Sequence, residues 1–213
     1  GLFRSYMLVG GMPEVVAKWV ATRDYLACQE VQDDIVLTYQ DDFPKYRKRV
    51  DPTLLRLTLQ SVALQIGSKF VYSQVGGGGY HTNDVKKALE LLILAGIITP
   101  VTHTDANGLP LGSEADPTYR KMLLLDSGLL LRWLDMTGDI TELTTQILTQ
   151  NPTDLVNKGA LTEMIAGLEL LRYRTPNMRH ELFYWVRRAK NAQAEVDYLI
   201  PYESAVLPLE VKA

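Results

Sequence analysis

A single cysteine, Cys28, in 213 residues leaves no internal disulfide and no cysteine-built zinc site. The three histidines, His81, His103 and His180, are too scattered for a metal cluster. No apolar run approaches the roughly 20 residues that a spanning helix needs, so no membrane partner is expected. A basic excess is missing as well. Lys and Arg number 22 against 25 Asp and Glu, for a formal net charge of -3. Any contact with DNA must therefore come from a local patch. The opening "GLFRSYMLVGGMPEVV" lacks the basic-then-apolar order of a secretory signal, and with one cysteine the expected location is cytoplasmic. What remains is ordinary: 46% hydrophobic and 22% charged residues, enough chain for a real core and one or two domains.

Phosphate loops are absent too. "VGGGGYHT" is glycine-rich ahead of a helix, but Tyr80, His81 and Thr82 stand where a Walker loop needs Lys and Ser or Thr. "VGGM" at Val9–Met12 fails the same test. The chain enters mid-pattern without an initiator methionine, and it is expected to be a piece of a longer protein.

Four regions separate by pattern, and together they predict an α+β fold. Residues 1–50 read as helix, with Pro13 in a first turn and Leu26, Ile35, Val36 and Tyr39 at helical spacing. The run Lys45, Arg47, Lys48 and Arg49 is expected to close that region at a helix C-terminus. Residues 51–126 carry a helix capped by Asp51 and a short element ending in the glycine run. A clear amphipathic helix follows, capped by Thr82, with Val85, Ala88, Leu89, Leu92 and Ala95 inward. Two strands, "IITPVTH" and "YRKMLLLD", come next. Three helices and a hairpin is the winged-helix order, in which the third helix can enter a major groove. Its exposed face offers Asn83, Lys86 and Lys87. Residues 127–157 read as a helical connector anchored by Trp133.

From Lys158 an amphipathic helix turns Leu161, Met164, Ile165, Leu168 and Leu171 inward, and three strands follow. Alternation puts Val196, Tyr198 and Ile200 on one face of "AEVDYLI" and Glu195, Asp197 and Leu199 on the other. In "AVLPLEVKA", Pro208, Glu210 and Lys212 share a face. With a turn at Tyr202–Ala205, Ile200 pairs with Leu207 and Asp197 falls across from Glu210, about 5 Å apart at Cβ. Like charges at that distance call for a cation. Lys212 supplies part of it, and a divalent ion would supply the rest. Carboxylate oxygens suit magnesium, which acidifies a bound water and polarises a phosphodiester. A neighbouring lysine stabilises the charge that grows on phosphorus. The plain alternative is a solvated hairpin face.

A helix with Glu163, a strand with Asp197 and the "EVK" at Glu210–Lys212 resemble the PD-(D/E)xK nuclease superfamily. Beyond these, "YMLVGGMPEVV", "YQDDFPKYRKRV", "LLLDSGLL" and "EVDYLI...LPLEVKA" resemble the carboxy-terminal part of a prokaryotic AAA-type ATPase family. Those proteins join a P-loop ATPase to a winged helix and a restriction-endonuclease-like domain of unknown function. The resemblance implies a lid-side segment at 1–50, a winged helix at 51–126, a connector at 127–157 and a truncated nuclease-like α/β domain at 158–213. ATP would bind only the missing amino-terminal domain. Carried over by position, Asp197 and Glu210 are expected to be magnesium ligands, Glu163 the helix carboxylate and Lys212 the catalytic lysine. Val196 stands where the superfamily pattern has proline. Arg172, Arg174, Arg187 and Arg188, with Arg179 and Lys190, are placed to meet a nucleic-acid backbone. Three readings stay open. One is a DNA-binding, magnesium-dependent nuclease-like module, another a non-catalytic module relaying ATPase state to a protein partner, and the third DNA binding without cleavage.

Overall fold

Capped helices fill the first half of the chain. The computed structural model describes residues 2–136, 158–173, 181–188 and 194–212. It begins with α1 (Leu2–Val9), α2 (Pro13–Thr22) and α3 (Tyr25–Asp42). Pro13 occupies the first turn of α2, where its missing N–H leaves nothing unpaired. Asp24 caps α3 by accepting the Leu26 amide at 2.9 Å, and Asp51 caps α4 (Pro52–Leu64) by accepting the Thr53 amide at 2.8 Å. The buried stripe of α3 is Cys28, Val31, Gln32 and Val36. Leu26, expected inside, is exposed. At 3.6 residues per turn it lies more than half a turn round the helix from Cys28. The basic run Lys45–Arg49 falls past the end of α3, in a 3-10 helix and the turn after it.

A kinked 3-10 turn, Tyr72–Gly78, holds the glycine run and leads to α5 (Thr82–Leu94). His81, not Thr82, takes the capping position, and no side chain caps this helix. Val85, Ala88, Leu89 and Leu92 are buried as the periodicity requires, while Ala95, already past the last helical residue, is exposed. After α5 come β1 (Ile98–Thr104), β2 (Ala115–Leu124) and α6 (Ser127–Met136). The rest of the connector, 137–157, lies outside the described residues. Then follow α7 (Lys158–Tyr173), β3 (Leu182–Val186), β4 (Glu195–Tyr202) and β5 (Ala205–Leu209).

The fold is α+β, and the five strands among the described residues form one sheet in the order β2-β1-β3-β4-β5. The hairpin β1–β2 is joined to the later strands by a parallel pairing of Val101–His103 with Leu182–Tyr184. On one face, α7 lays Leu161, Met164, Ile165 and Leu168 into the main core, which also takes in α4, α5 and α6. On the other, Leu111, Phe183 and Leu199 make a smaller cluster.

The β4–β5 register is the expected one, with Ile200 opposite Leu207 and Tyr202 opposite Ala205. The β3–β4 register is not regular. Phe183 pairs with Leu199 but Trp185 pairs with Val196, so Tyr184 faces two residues, Asp197 and Tyr198. This bulge corrects the expected alternation. It turns Tyr198 to the α7 side along with Asp197 and Glu195, and sends Leu199 to the opposite side with Val196.

Two glycines allow close approaches that the packing needs. A Cβ on Gly128 of α6 would overlap the Gln32 amide and stand 2.9 Å from the Leu8 and Val9 carbonyls. That amide donates to the same two carbonyls at 2.9 and 3.1 Å. Nearby, buried Asp126 accepts the Gly11 amide at 2.6 Å and the Leu129 amide at 3.0 Å. The "VGGM" and "LLLDSGLL" segments are thus two halves of one clasp. On α7, a Cβ on Gly167 would overlap the Tyr198 hydroxyl and stand 2.6 Å from a Leu123 methyl. Gly167→Ala should accordingly cost about 1–3 kcal/mol through overpacking. Gly159→Ala on the same helix, where nothing lies within 4 Å, should cost nothing. Urea unfolding of both variants checks the contrast.

Candidate metal centre

Glu163 and Gly167 of α7 stand four positions apart, about one helical turn, so they share a face. On β2, Lys121 and Leu123 share a face by the two-residue period. Because Leu123 meets α7 at Gly167, Lys121 meets it one turn earlier, at Glu163. The Lys121 ammonium lies 2.7 Å from a Glu163 oxygen, with only 4% and 13% of the two side chains exposed. It also pairs with Glu195 at the start of β4, and stands 5.0 Å from the centre of the Tyr184 ring. Tyr198 fixes the helix from below by donating its hydroxyl to the Glu163 carbonyl at 2.7 Å.

The bulge brings Asp197 to the same place. Oxygens of Glu163, Glu195 and Asp197 lie within 4.8 Å of one another. Burial pushes the Glu163 carboxyl above its ordinary value, against the pull of Lys121, and Asp197 and Glu195 push it further. Burial draws the Lys121 ammonium down, but Glu163 and Glu195 outweigh it and hold the group above its ordinary value. Lys121 therefore stays charged among three carboxylates, and negative charge is left over. The donors are all carboxylate oxygens, the ligand type that hard divalent ions such as magnesium take. In that respect the residues fit the ion.

Of the expected site residues, Glu163 and Asp197 converge. Glu210 and Lys212 pair with each other at 2.9 Å on exposed side chains, 47% and 84% accessible. They flank the cluster, since Asp197 accepts the Val211 amide at 2.8 Å. Sequence reasoning did not assign Glu195, Lys121 or Tyr184 to the site. The available signal was a lone lysine abutting the apolar run "MLLL" on β2.

The expected nucleic-acid contacts are dispersed and mostly engaged. Asn83 and Lys86 are exposed on α5, with Lys86 over the Tyr72 ring, and Lys87 pairs with Asp84 at 3.2 Å. Arg172 bonds Glu169 and the Tyr6 hydroxyl, both at 2.6 Å. Arg188 pairs with Asp116 at 2.8 Å and packs on Tyr119, while the Arg187 side chain is exposed. Arg174, Arg179 and Lys190 lie outside the described residues.

Comparison with protein families places most of this chain. Residues 1–139 match a family described as Domain of unknown function (DUF8612). The chain belongs to this family. Residues 158–213 match a second one, Domain of unknown function (DUF4143), a domain typically associated with AAA-type ATPases. No curated protein and no solved structure matches the chain. The family boundary falls between the two halves of the charge cluster: Lys121 comes from the first matched region, and Glu163, Glu195 and Asp197 from the second. Among the described residues, no helix is long and apolar enough to cross a membrane.

The raised Glu163 carboxyl has a consequence for stability. A folded-state value above the unfolded one means that the folded state binds the extra proton, so stability from this group is full below the ordinary value of 4.5 and is lost as pH rises through the folded value. Asp116 works oppositely and lower: the Thr118 hydroxyl and amide hold it at about 2, so its contribution disappears as pH falls from its ordinary 3.8. Urea unfolding across pH 4–7 should show a downward slope that Glu163→Gln flattens. An unchanged slope in the variant would remove Glu163 as its source.

Proposed function

We propose that this chain is an accessory region of an AAA-type ATPase and that its carboxylate cluster is a divalent-cation centre for phosphodiester hydrolysis. The observation that carries this reading is the convergence of Glu163, Glu195 and Asp197 on one point. Surface charges placed only for solubility have no reason to meet, least of all with a half-buried glutamate. The association of the second matched family with AAA-type ATPases supports the wider assignment.

In this reading Glu163, Glu195 and Asp197 would hold magnesium, which supplies an acidified water and a polarised phosphate when bound. Asp197 is oriented by the Val211 amide. Glu210 and Lys212 stand at the rim, where Lys212 is placed to meet a substrate phosphate. The order α4, 3-10 turn, α5, β1, β2 supports a winged helix, and the three strands with α7 support a nuclease-like α/β unit. DNA is the proposed substrate, through Asn83, Lys86 and Lys87 on α5 and through Arg187 and Arg188 beside the sheet.

A second reading has its own observation. Lys121 already supplies a cation to the cluster, which is what a purely structural module relaying ATPase state to a protein partner would need.

Manganese titration by calorimetry separates the two. The metal reading expects binding that Asp197→Asn weakens by at least the roughly tenfold loss typical of outer-sphere substitutions. Asn keeps the acceptor for the Val211 amide, so the fold is spared. Cleavage of a labelled DNA duplex with magnesium should fall in parallel. No manganese binding by the unmodified chain leaves the structural module.

A further inference from the structure

We propose that Lys121 holds the place of the metal, and that a divalent ion binds Glu163, Glu195 and Asp197 by displacing its ammonium. This rests on the metal reading above and adds what controls access to that centre.

Two independent observations support it. The first is the seat of the ammonium itself. It contacts two of the three carboxylates, and its side chain is 4% exposed. An ammonium and a divalent ion drawn to the same oxygens would stand within a few ångströms of each other and repel, so each weakens the hold of the other. Without either cation, three carboxylates within 4.8 Å would repel in turn. One cation must therefore be present, and the lysine is the one the chain provides. Its flexible four-carbon stem lets the charge withdraw along the sheet without moving β2.

The second is Tyr184. This residue is 1% exposed, and its hydroxyl is buried with no hydrogen-bond partner. The Lys121 ammonium stands 5.0 Å from the centre of its ring, and Glu195 and Glu163 are among the charges that act on it. A buried hydroxyl without a partner is costly and needs an explanation. Magnesium keeps several of its waters, and such a water would donate a hydrogen bond to the Tyr184 hydroxyl oxygen once the ion stands in place of the ammonium.

The exchange makes metal affinity depend on the hairpin. The competing cation sits on β2, in the region matched by the first family, and the ligands sit on α7 and β4, in the region matched by the second. Any shift of the hairpin against α7 draws Lys121 toward the carboxylates or away from them.

The test uses the whole chain with manganese and magnesium as probes. Lys121→Met should bind manganese at least tenfold more tightly than the unmodified protein, and its melting temperature should rise more on adding the metal. Lys121→Arg, which keeps the positive charge, should bind no more tightly than the unmodified protein. In nitrogen-15 spectra of the lysine ammonium groups, the protected Lys121 signal of the unmodified protein should vanish at saturating magnesium. Equal affinity in the unmodified protein and Lys121→Met overturns the exchange but leaves the metal centre standing. So does a Lys121 signal that persists at saturating magnesium. Manganese binding by neither protein overturns both. If Lys121→Met fails to fold, the spectra of the unmodified protein decide alone.

Discussion

A lysine ammonium among three carboxylates is the constraint on which the junction of this molecule depends. Lys121 projects from a hairpin strand, Glu163 from a helix some forty residues later, and Glu195 from a strand later still. A charge buried to this degree is tolerated only when paired, and removing one partner leaves the other uncompensated. The hairpin, α7 and β4 are thereby held to one mutual placement. Hydrophobic contact along α7 is not directional, and the ion pairs fix where along the sheet the helix stops.

The sheet makes the same join through its backbone. β1 pairs with β2 on one side and β3 on the other, so the strands of the expected wing are also the first half of the later sheet. In an isolated winged helix one edge of that hairpin would be open. Here it is closed by Leu182–Tyr184, and among the described residues the outer strands of the sheet are β2 and β5. A hairpin built into a five-stranded sheet has less freedom to follow a DNA backbone than a free wing does. On the proposed reading, DNA contact falls more to the exposed face of α5 and to the arginines that follow β3.

Much of this was legible in the sequence, because much of it is periodic or local. The caps at Asp51, the core stripe of α5, the inward face of α7 and the β4–β5 register all follow from spacing. Strand alternation brings Asp197 forward, whereas Glu163 enters only through the resemblance to the PD-(D/E)xK superfamily. Alternation misplaces Tyr198 and Leu199 because of the bulge opposite Tyr184. One extra residue on β4 reverses the alternation beyond it, taking Tyr198 to the helix and Leu199 away. No local residue type announces it, since neither glycine nor proline marks the spot. Lys121 escaped for another reason. Its partners lie about forty and seventy residues downstream, and the packing of α7 on β2 and the β1–β3 pairing bring them within reach.

The arrangement also accounts for the placement of charge relative to the two matched families. If each region carried a self-neutralised site, either could drift without electrical cost. Instead the first contributes the cation and the second the anions, so neither is balanced alone. On the proposed reading, an ATP-driven neighbour acting on the first region would shift the hairpin that carries Lys121. The carboxylates would register that movement as a change in local field, whether a metal or a partner protein reads it. A lysine suits this task better than a bound ion would, because its tether ties the charge to one strand.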